Sequence, residues 1–270
     1  MKQQRVAVLG LGKIGSILLQ GLLKAGLPPG SAVATVRHPE RAEALANERA
    51  VPVGTDNRAA ARGADVIIIA VKPQNVRDLL EEIRAEVTPA QLVISVAASV
   101  PTGYIEDLLG TPTPVIRAMP NTPSRVGAGM TGICRGKHAT DAHLDTARRL
   151  FDTVGRTVVV DVKHMDAVTG LSASGPAFVY IILESLAEAG VKVGLPRDIA
   201  TVLAAQTLFG AAKVQLDTGD HPALLKDAVT TPAGCTIDGI LELEEGKLRV
   251  TLIKAVVKAT LRAKELMFEK

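Results

Sequence analysis

The stretch Val6-Ala7-Val8-Leu9-Gly10-Leu11-Gly12-Lys13-Ile14-Gly15 decides how the rest of the chain is read. Its four leading apolar residues read as a buried strand, and the residues from Ile14 to Ala25 carry a helical apolar pattern. The G-x-G-x-x-G between them assigns each glycine a task. The first permits a tight turn, the second lets a pyrophosphate approach the backbone, and the third lets helix and strand pack closely. Alone this motif is a weak signal. Lodged between a strand and a helix, it points to a dinucleotide.

Outward from this turn, short apolar runs alternate with amphipathic stretches as far as residue 160. The strand-like runs are Val6–Leu9, Ala32–Val36, Val66–Ala70, Leu92–Val96, Val115–Ala118, Met130–Cys134 and Thr157–Val160, with helical patterns such as Ile14–Ala25 and Asn75–Glu86 between them. The expected fold class is α/β, a doubly wound parallel sheet with right-handed crossovers. Val66-Ile67-Ile68-Ile69-Ala70 is apolar throughout, as befits a central strand covered on both faces. After the second strand an NAD site would place an acid to accept the ribose 2′-hydroxyl. Here Thr35-Val36-Arg37-His38 has no acid before Glu40. Arg37 can pair with a 2′-phosphate and the Thr35 hydroxyl can donate to it, so NADPH is the expected cofactor, with NADH still usable. Lys72, after the third of these runs, is placed either to approach cofactor oxygens or to cap the strand.

The strand signal ends after Asp161, which divides the chain into expected domains 1–162 and 163–270. Residues 164–190, 196–217, 221–229 and 236–268 read as helices, and the run Ala177–Leu183 carries no charge. So much apolar helix makes a poor isolated domain, and burial against a second copy is expected. Two small-residue breaks interrupt this half, Ser172-Ala173-Ser174-Gly175-Pro176 and Thr230-Thr231-Pro232-Ala233-Gly234-Cys235-Thr236. Helix starts beside such breaks expose amides suited to a carboxylate.

Composition excludes several classes. Residues 1–162 hold 19 basic and 15 acidic side chains and the remainder 12 and 13, with no basic arm or stripe, so nucleic acid is not an expected partner. Cys134 and Cys235 make no disulfide framework. No signal-like apolar segment precedes the first strand, and no uncharged apolar run reaches about 18 residues. The expected setting is a reducing cytoplasm, with no membrane partner. None of the five histidines lies in a ligand motif, and no cluster has zinc spacing, so no metal is expected.

With these pieces placed, the chain resembles the pyrroline-5-carboxylate reductase family over essentially its whole length. The resemblance is carried by GLGKIG at 10–15, AVKPQ at 70–74, RAMPNTP at 117–123, GLSASGPAFVY at 170–180 and VTTPAGCTIDG at 229–239. It implies an N-terminal Rossmann-type domain and an all-α C-terminal dimerisation domain, in dimers that often assemble further, commonly into decamers. It implies that Leu9, Gly10, Leu11, Gly12, Lys13, Ile14, Gly15, Thr35, Arg37, Asn57, Ala70, Val71, Lys72, Pro73 and Ala97 line the NADPH site. Asn121 and Thr122 would lie near its nicotinamide end. The substrate, 1-pyrroline-5-carboxylate, would sit against residues 172–176 and 230–236, with Ser174, Gly175, Thr231, Gly234, Cys235 and Thr236 as its contacts. The family loop usually reads Ser-Pro-Gly-Gly, a small residue, then Thr. Here Thr231, Ala233 and Cys235 depart from it, and a positive φ at 233 would strain alanine.

The implied reaction delivers hydride to the C=N carbon and yields L-proline. An imine nitrogen binds protonated or takes a proton as hydride arrives, so no strong general acid is needed. Thr236 is the expected catalytic residue, its hydroxyl holding the ring nitrogen; the alternative is an N-cap for a helix from Ile237. A β-hydroxyacid-dehydrogenase-like enzyme is the nearest rival, but it wants a lysine, and Gly170–Tyr180 contains none. Reduction of a six-membered cyclic imine, and a non-catalytic NADP-binding sensor, are the other readings weighed.

Overall fold

A computed structural model describes residues 4–266. Eight strands form one sheet: β1 (Val6–Leu9), β2 (Ala32–Thr35), β3 (Val53–Gly54), β4 (Val66–Ile69), β5 (Leu92–Ser95), β6 (Val115–Met119), β7 (Gly129–Arg135) and β8 (Gly155–Val159). Their spatial order is β3-β2-β1-β4-β5-β6-β7-β8. The chain moves outward from β1 to β3, then returns to lay β4 on the other side of β1. The crevice beyond β1 is therefore a topological switch point, where open α/β sheets bind ligands.

Strands β1 to β6 are parallel, with Val6 opposite both Ala32 and Val66. Their continuous apolar character follows from cover on both faces. Val6 and Val8 point to a core with Leu18, Leu19, Leu22 and Phe151. Ala7 and Leu9 point to a second with Leu79, Leu80, Ile83 and Ile105. The expectation of an all-parallel sheet fails at β7, which pairs antiparallel with β6; β8 then runs parallel to β7. The reason is chain length. Only residues 120–128 separate β6 from β7, and a parallel return needs roughly a dozen residues or more. Helix Asp141–Phe151 supplies that length between β7 and β8.

The described residues divide into two compact units, one running to Ser174 and resuming at Lys258, the other Gly175–Val257. In the second, helices Gly175–Lys192 and Arg197–Thr218 pack so closely that a Cβ on Gly190 would lie 2.8 Å from that of Ala200. Pro222–Val229 and Cys235–Glu245 follow, and Leu248–Glu265 leads back into the first unit. The expected helix over 236–268 is thus two among the described residues, broken where Lys247 adopts φ 55°, and its last two positions lie outside them. The segment expected as one helix from 164 is also subdivided. It runs through a 3-10 turn at Val162–His164, a helical turn at Met165–Val168 and a π-turn at Thr169–Ala173 before Gly175. Tyr180, Val202, Leu203, Phe209 and Ile253 of the second unit are exposed.

Buried Gln91 ties the first unit together: Nε2 donates to the carbonyls of Ala61 (2.8 Å) and Ala64 (2.6 Å), while Oε1 accepts from Thr88 N. Replacing it by leucine strands the buried Ala64 carbonyl, at about 1–3 kcal/mol, whereas Ala61 O keeps the Ala64 amide at 3.2 Å. Gln91→Leu is expected to lower the unfolding free energy by about 1–3 kcal/mol in urea titration; a loss below about 0.5 kcal/mol would show that the Ala64 carbonyl finds another partner.

Candidate functional site

The turn after β1 is held by a single carbonyl. Thr35 O accepts from Gly10 N at 3.1 Å and Leu11 N at 3.0 Å, fixing the loop across the end of β2. Gly10 has φ 103°, and a Cβ there would meet Val71 Cγ1 at 2.9 Å. A Cβ on Gly15 would strike the Gly10 carbonyl, so helix Lys13–Lys24 could not pack onto the strand. Around Gly12 there is open space: nothing would lie within 4 Å of its Cβ. Gly12 is also the N-cap, with no side chain capping the helix. The first-turn amides and the positive end of the dipole are thereby left to an anion, which fits the pyrophosphate of a dinucleotide.

The turn opens onto a cavity of about 620 Å³ lined by Gly10, Leu11, Gly12, Thr35, Arg37, Asn57, Ala70, Val71 and Lys72. Nine expected cofactor residues therefore meet in one place. Leu9 is fully buried in β1 with its side chain in the core, Ala97 is buried at the end of β5, and neither lines this cavity. Nor do Lys13, Ile14, Gly15 and Pro73. The cavity also has members the sequence did not single out, chiefly Arg41 and Glu82. Arg41 stands on helix Pro39–Arg49, four residues beyond Arg37, which precedes the helix. Glu82 lies far along the chain, and only the fold brings it here. Arg37 and Arg41 are both exposed.

At the far end of β6, buried Asn121 acts as a clamp. Its Nδ2 donates to Ser172 O at 3.1 Å and its Oδ1 accepts from Met130 N at 2.9 Å. Its side chain is thus committed to the protein, while Thr122 beside it is exposed. Below it on β6, buried Arg117 reaches Asp166 Oδ1 at 3.5 Å, and its Nε finds no partner. Cys134, opposite Arg117 in the antiparallel register, is buried, and burial pushes its thiol up to about 11.

The two small-residue breaks differ from each other. Residues 172–174 do not expose the amides of a fresh helix start as expected. The π-turn keeps the chain helical, and Ser174 N donates to Thr169 O at 3.0 Å. Small side chains let the helix widen there without breaking, and Ala173 fits within it. The second break does begin a helix, Cys235–Glu245, with Gly234 as N-cap and no side chain capping it. Thr236 is therefore the second helical residue, half-buried, and the alternative of Thr236 as N-cap to a helix from Ile237 does not hold. Gly234 N is spent on Thr231 O at 3.1 Å, so the free donors belong to the first helical turn, not to Gly234. A Cβ on Gly234 would strike the Thr231 hydroxyl. Cys235 is exposed. Among the described residues no group of three or more His, Cys, Asp or Glu is placed to hold a metal.

A switch-point crevice built for a pyrophosphate and a second, helical unit define a dinucleotide-dependent oxidoreductase. Comparison with known proteins agrees with that class and narrows it. Residues 5–99 match the family described as NADP oxidoreductase, coenzyme F420-dependent, and residues 162–266 match pyrroline-5-carboxylate reductase dimerisation. The chain is 44% identical over 268 residues to pyrroline-5-carboxylate reductase of Methanosarcina acetivorans, covering 98% of this chain and 99% of that one. It is 40% identical to that of Glycine max, covering 96% and 94%. Among solved structures, a pyrroline-5-carboxylate reductase from Coxiella burnetii superimposes with TM-score 0.92 at 35% identity, covering 97% of this chain and 98% of that one. The Plasmodium falciparum enzyme with NADP bound gives 0.88 at 28%, covering 99% of each. The chain belongs to the pyrroline-5-carboxylate reductase family.

One residue of the second loop is out of place. Ala233 adopts φ 56°, the left-handed region that costs an L side chain roughly 1–2 kcal/mol. Glycine removes that cost but loses more chain entropy on folding. Ala233→Gly is expected to raise the unfolding free energy by up to about 1 kcal/mol in urea titration, and destabilisation would show that the backbone there is unstrained.

Proposed function

We propose that the protein reduces 1-pyrroline-5-carboxylate to L-proline with NADPH, and uses NADH less well. Bound reduced nicotinamide supplies the hydride to the C=N carbon; the nitrogen, protonated on binding or as hydride arrives, becomes the secondary amine. The protein need only hold and orient. Orientation of this kind supplies several kcal/mol of barrier lowering. The first unit binds the dinucleotide through Gly10, Leu11, Gly12, Thr35, Arg37, Asn57, Ala70, Val71 and Lys72, with Leu9, Lys13, Ile14, Gly15, Pro73 and Ala97 supporting that wall and Asn121 and Thr122 toward the nicotinamide. Domains 1–162 and 163–270 divide these tasks. In the second domain Ser174, Gly175, Thr231, Gly234 and Cys235 surround the substrate, whose carboxylate takes first-turn amides of helix 235–245. The Thr236 hydroxyl holds the ring nitrogen.

The observation that carries this reading is the uncapped start of helix Cys235–Glu245 with half-buried Thr236 in its first turn. A hydroxyl not needed as a cap is free for a ligand. The exposed apolar side chains of Gly175–Val257 support a homodimer through that unit. Two helical stretches, Val162–Lys192 and Arg197–Thr218, are apolar and long enough to cross a membrane by composition, yet a dimerisation surface accounts for the same pattern. A cytoplasmic location and further assembly, up to a decamer, complete the proposal.

Thr236→Ala is expected to lower kcat/KM for the imine at least about tenfold, the loss of one hydrogen bond strengthened in the transition state, with NADPH affinity nearly intact. Unchanged turnover would remove Thr236 from the reaction. Arg37→Asp should raise the KM for NADPH about ten- to a hundredfold more than that for NADH, the span of a charge-assisted bond. Equal effects on the two cofactors would refute its assignment to a 2′-phosphate.

A further inference from the structure

The dinucleotide cavity holds an acid that hydride transfer does not use. Glu82, half-buried on helix Val76–Ile83, lines the same cavity as Thr35, Arg37 and Asn57. Asn57 Nδ2 donates to Glu82 Oε2 at 2.9 Å, and Thr35 Oγ1 donates to Asn57 Oδ1 at 2.7 Å. The three side chains form a short relay running from the carboxylate to the end of β2.

Charge fixes the direction of this relay. A carboxylate only accepts, so Asn57 must turn its NH2 toward Glu82; turned over, its oxygen would face another oxygen. Oδ1 then faces Thr35, whose single proton is spent on it. Thr35 is left offering lone pairs to the cavity. A ribose 2′-hydroxyl can donate to those lone pairs, whereas a 2′-phosphate is rich in acceptors and meets a mismatch. The Thr35 hydroxyl, expected from the sequence to donate to a phosphate, is thus held in the opposite sense. Arg37 and Arg41 pull toward the phosphate from the same cavity.

We propose that Glu82 is a specificity-determining residue: acting through Asn57, it sets Thr35 as an acceptor and so keeps the site open to NADH against the pull of the arginines. This rests on Arg37 facing the 2′-phosphate position, as proposed above. Glutamine at 82 is nearly isosteric and can present either an acceptor or a donor. With its NH2 toward Asn57, the Asn57 amide can turn over, donate to Thr35 and release the threonine proton toward the cavity.

The test is steady-state kinetics with NADPH and NADH on the full-length protein, its Glu82→Gln and Thr35→Val variants, and the double variant. Glu82→Gln is expected to raise the NADPH:NADH ratio of kcat/KM about tenfold, the worth of one mismatched bond made good. The change should sit in the KM values for the cofactors. In the Thr35→Val background, where no hydroxyl remains to be released, the same substitution should move the ratio less than about threefold. An equal rise in both backgrounds would mean that removal of a negative charge acts through space, and the relay would be overturned. So would no rise in either. Arg37→Asp, measured alongside, separates the two layers: if it shifts the ratio while Glu82→Gln does not, the relay alone fails. If Arg37→Asp leaves the ratio unmoved, the placement of the 2′-phosphate fails first.

Discussion

The Thr35 carbonyl, receiving the amides of both Gly10 and Leu11, is the contact on which the cofactor half depends. Two amides on one acceptor bind the turn after β1 to the neighbouring strand, so Gly12 and the uncapped helix behind it hold a fixed position. Without that anchor the glycines would be a flexible loop. With it, the first-turn amides are oriented before any phosphate arrives, and the ordering cost on binding is small. The same residue works twice, since its backbone fixes the turn while its hydroxyl joins Asn57 on the cavity wall.

How much of this was legible follows from where the information lies. The turn at 10–15 was readable because each glycine answers a local steric demand, visible as φ 103° at Gly10 and as backbone contact at Gly15. The seven longer strands announced themselves by apolar runs. The two-residue strand Val53–Gly54 is too short to do so. The reversal at β7 escaped a reading based on alternation, although the nine-residue connector carried the signal. The π-turn at 169–173 escaped it too, because the widened helix uses the same small residues that a break would use.

The site was legible in proportion to sequence proximity. Arg37 lies two residues past β2, and its proposed role could be argued from the missing acid alone. Glu82 enters the cavity from a helix after β4 and reaches Thr35 only through Asn57. No local pattern encodes that chain of three. Similarly, Asn121 was expected at the cofactor, but its amide is drawn to Met130 on the reversed β7 and to Ser172 in the π-turn at 169–173.

The two units use one device, a helix whose N-terminus no side chain caps, but they secure it differently. At Gly12 the turn is unstrained, because glycine occupies each position that needs one. At Gly234 the turn is closed by the Gly234–Thr231 hydrogen bond, and the residue between Pro232 and Gly234 must enter the left-handed region. The family resemblance leads one to expect glycine at 233, and this chain carries alanine. A methyl group there narrows the conformations open to the unfolded loop while straining the folded one, two effects of similar size and opposite sign. Alanine can therefore persist at 233 with little net cost. What it takes away is the freedom of the loop to rearrange, which suits a segment whose proposed task is to hold a small ring still.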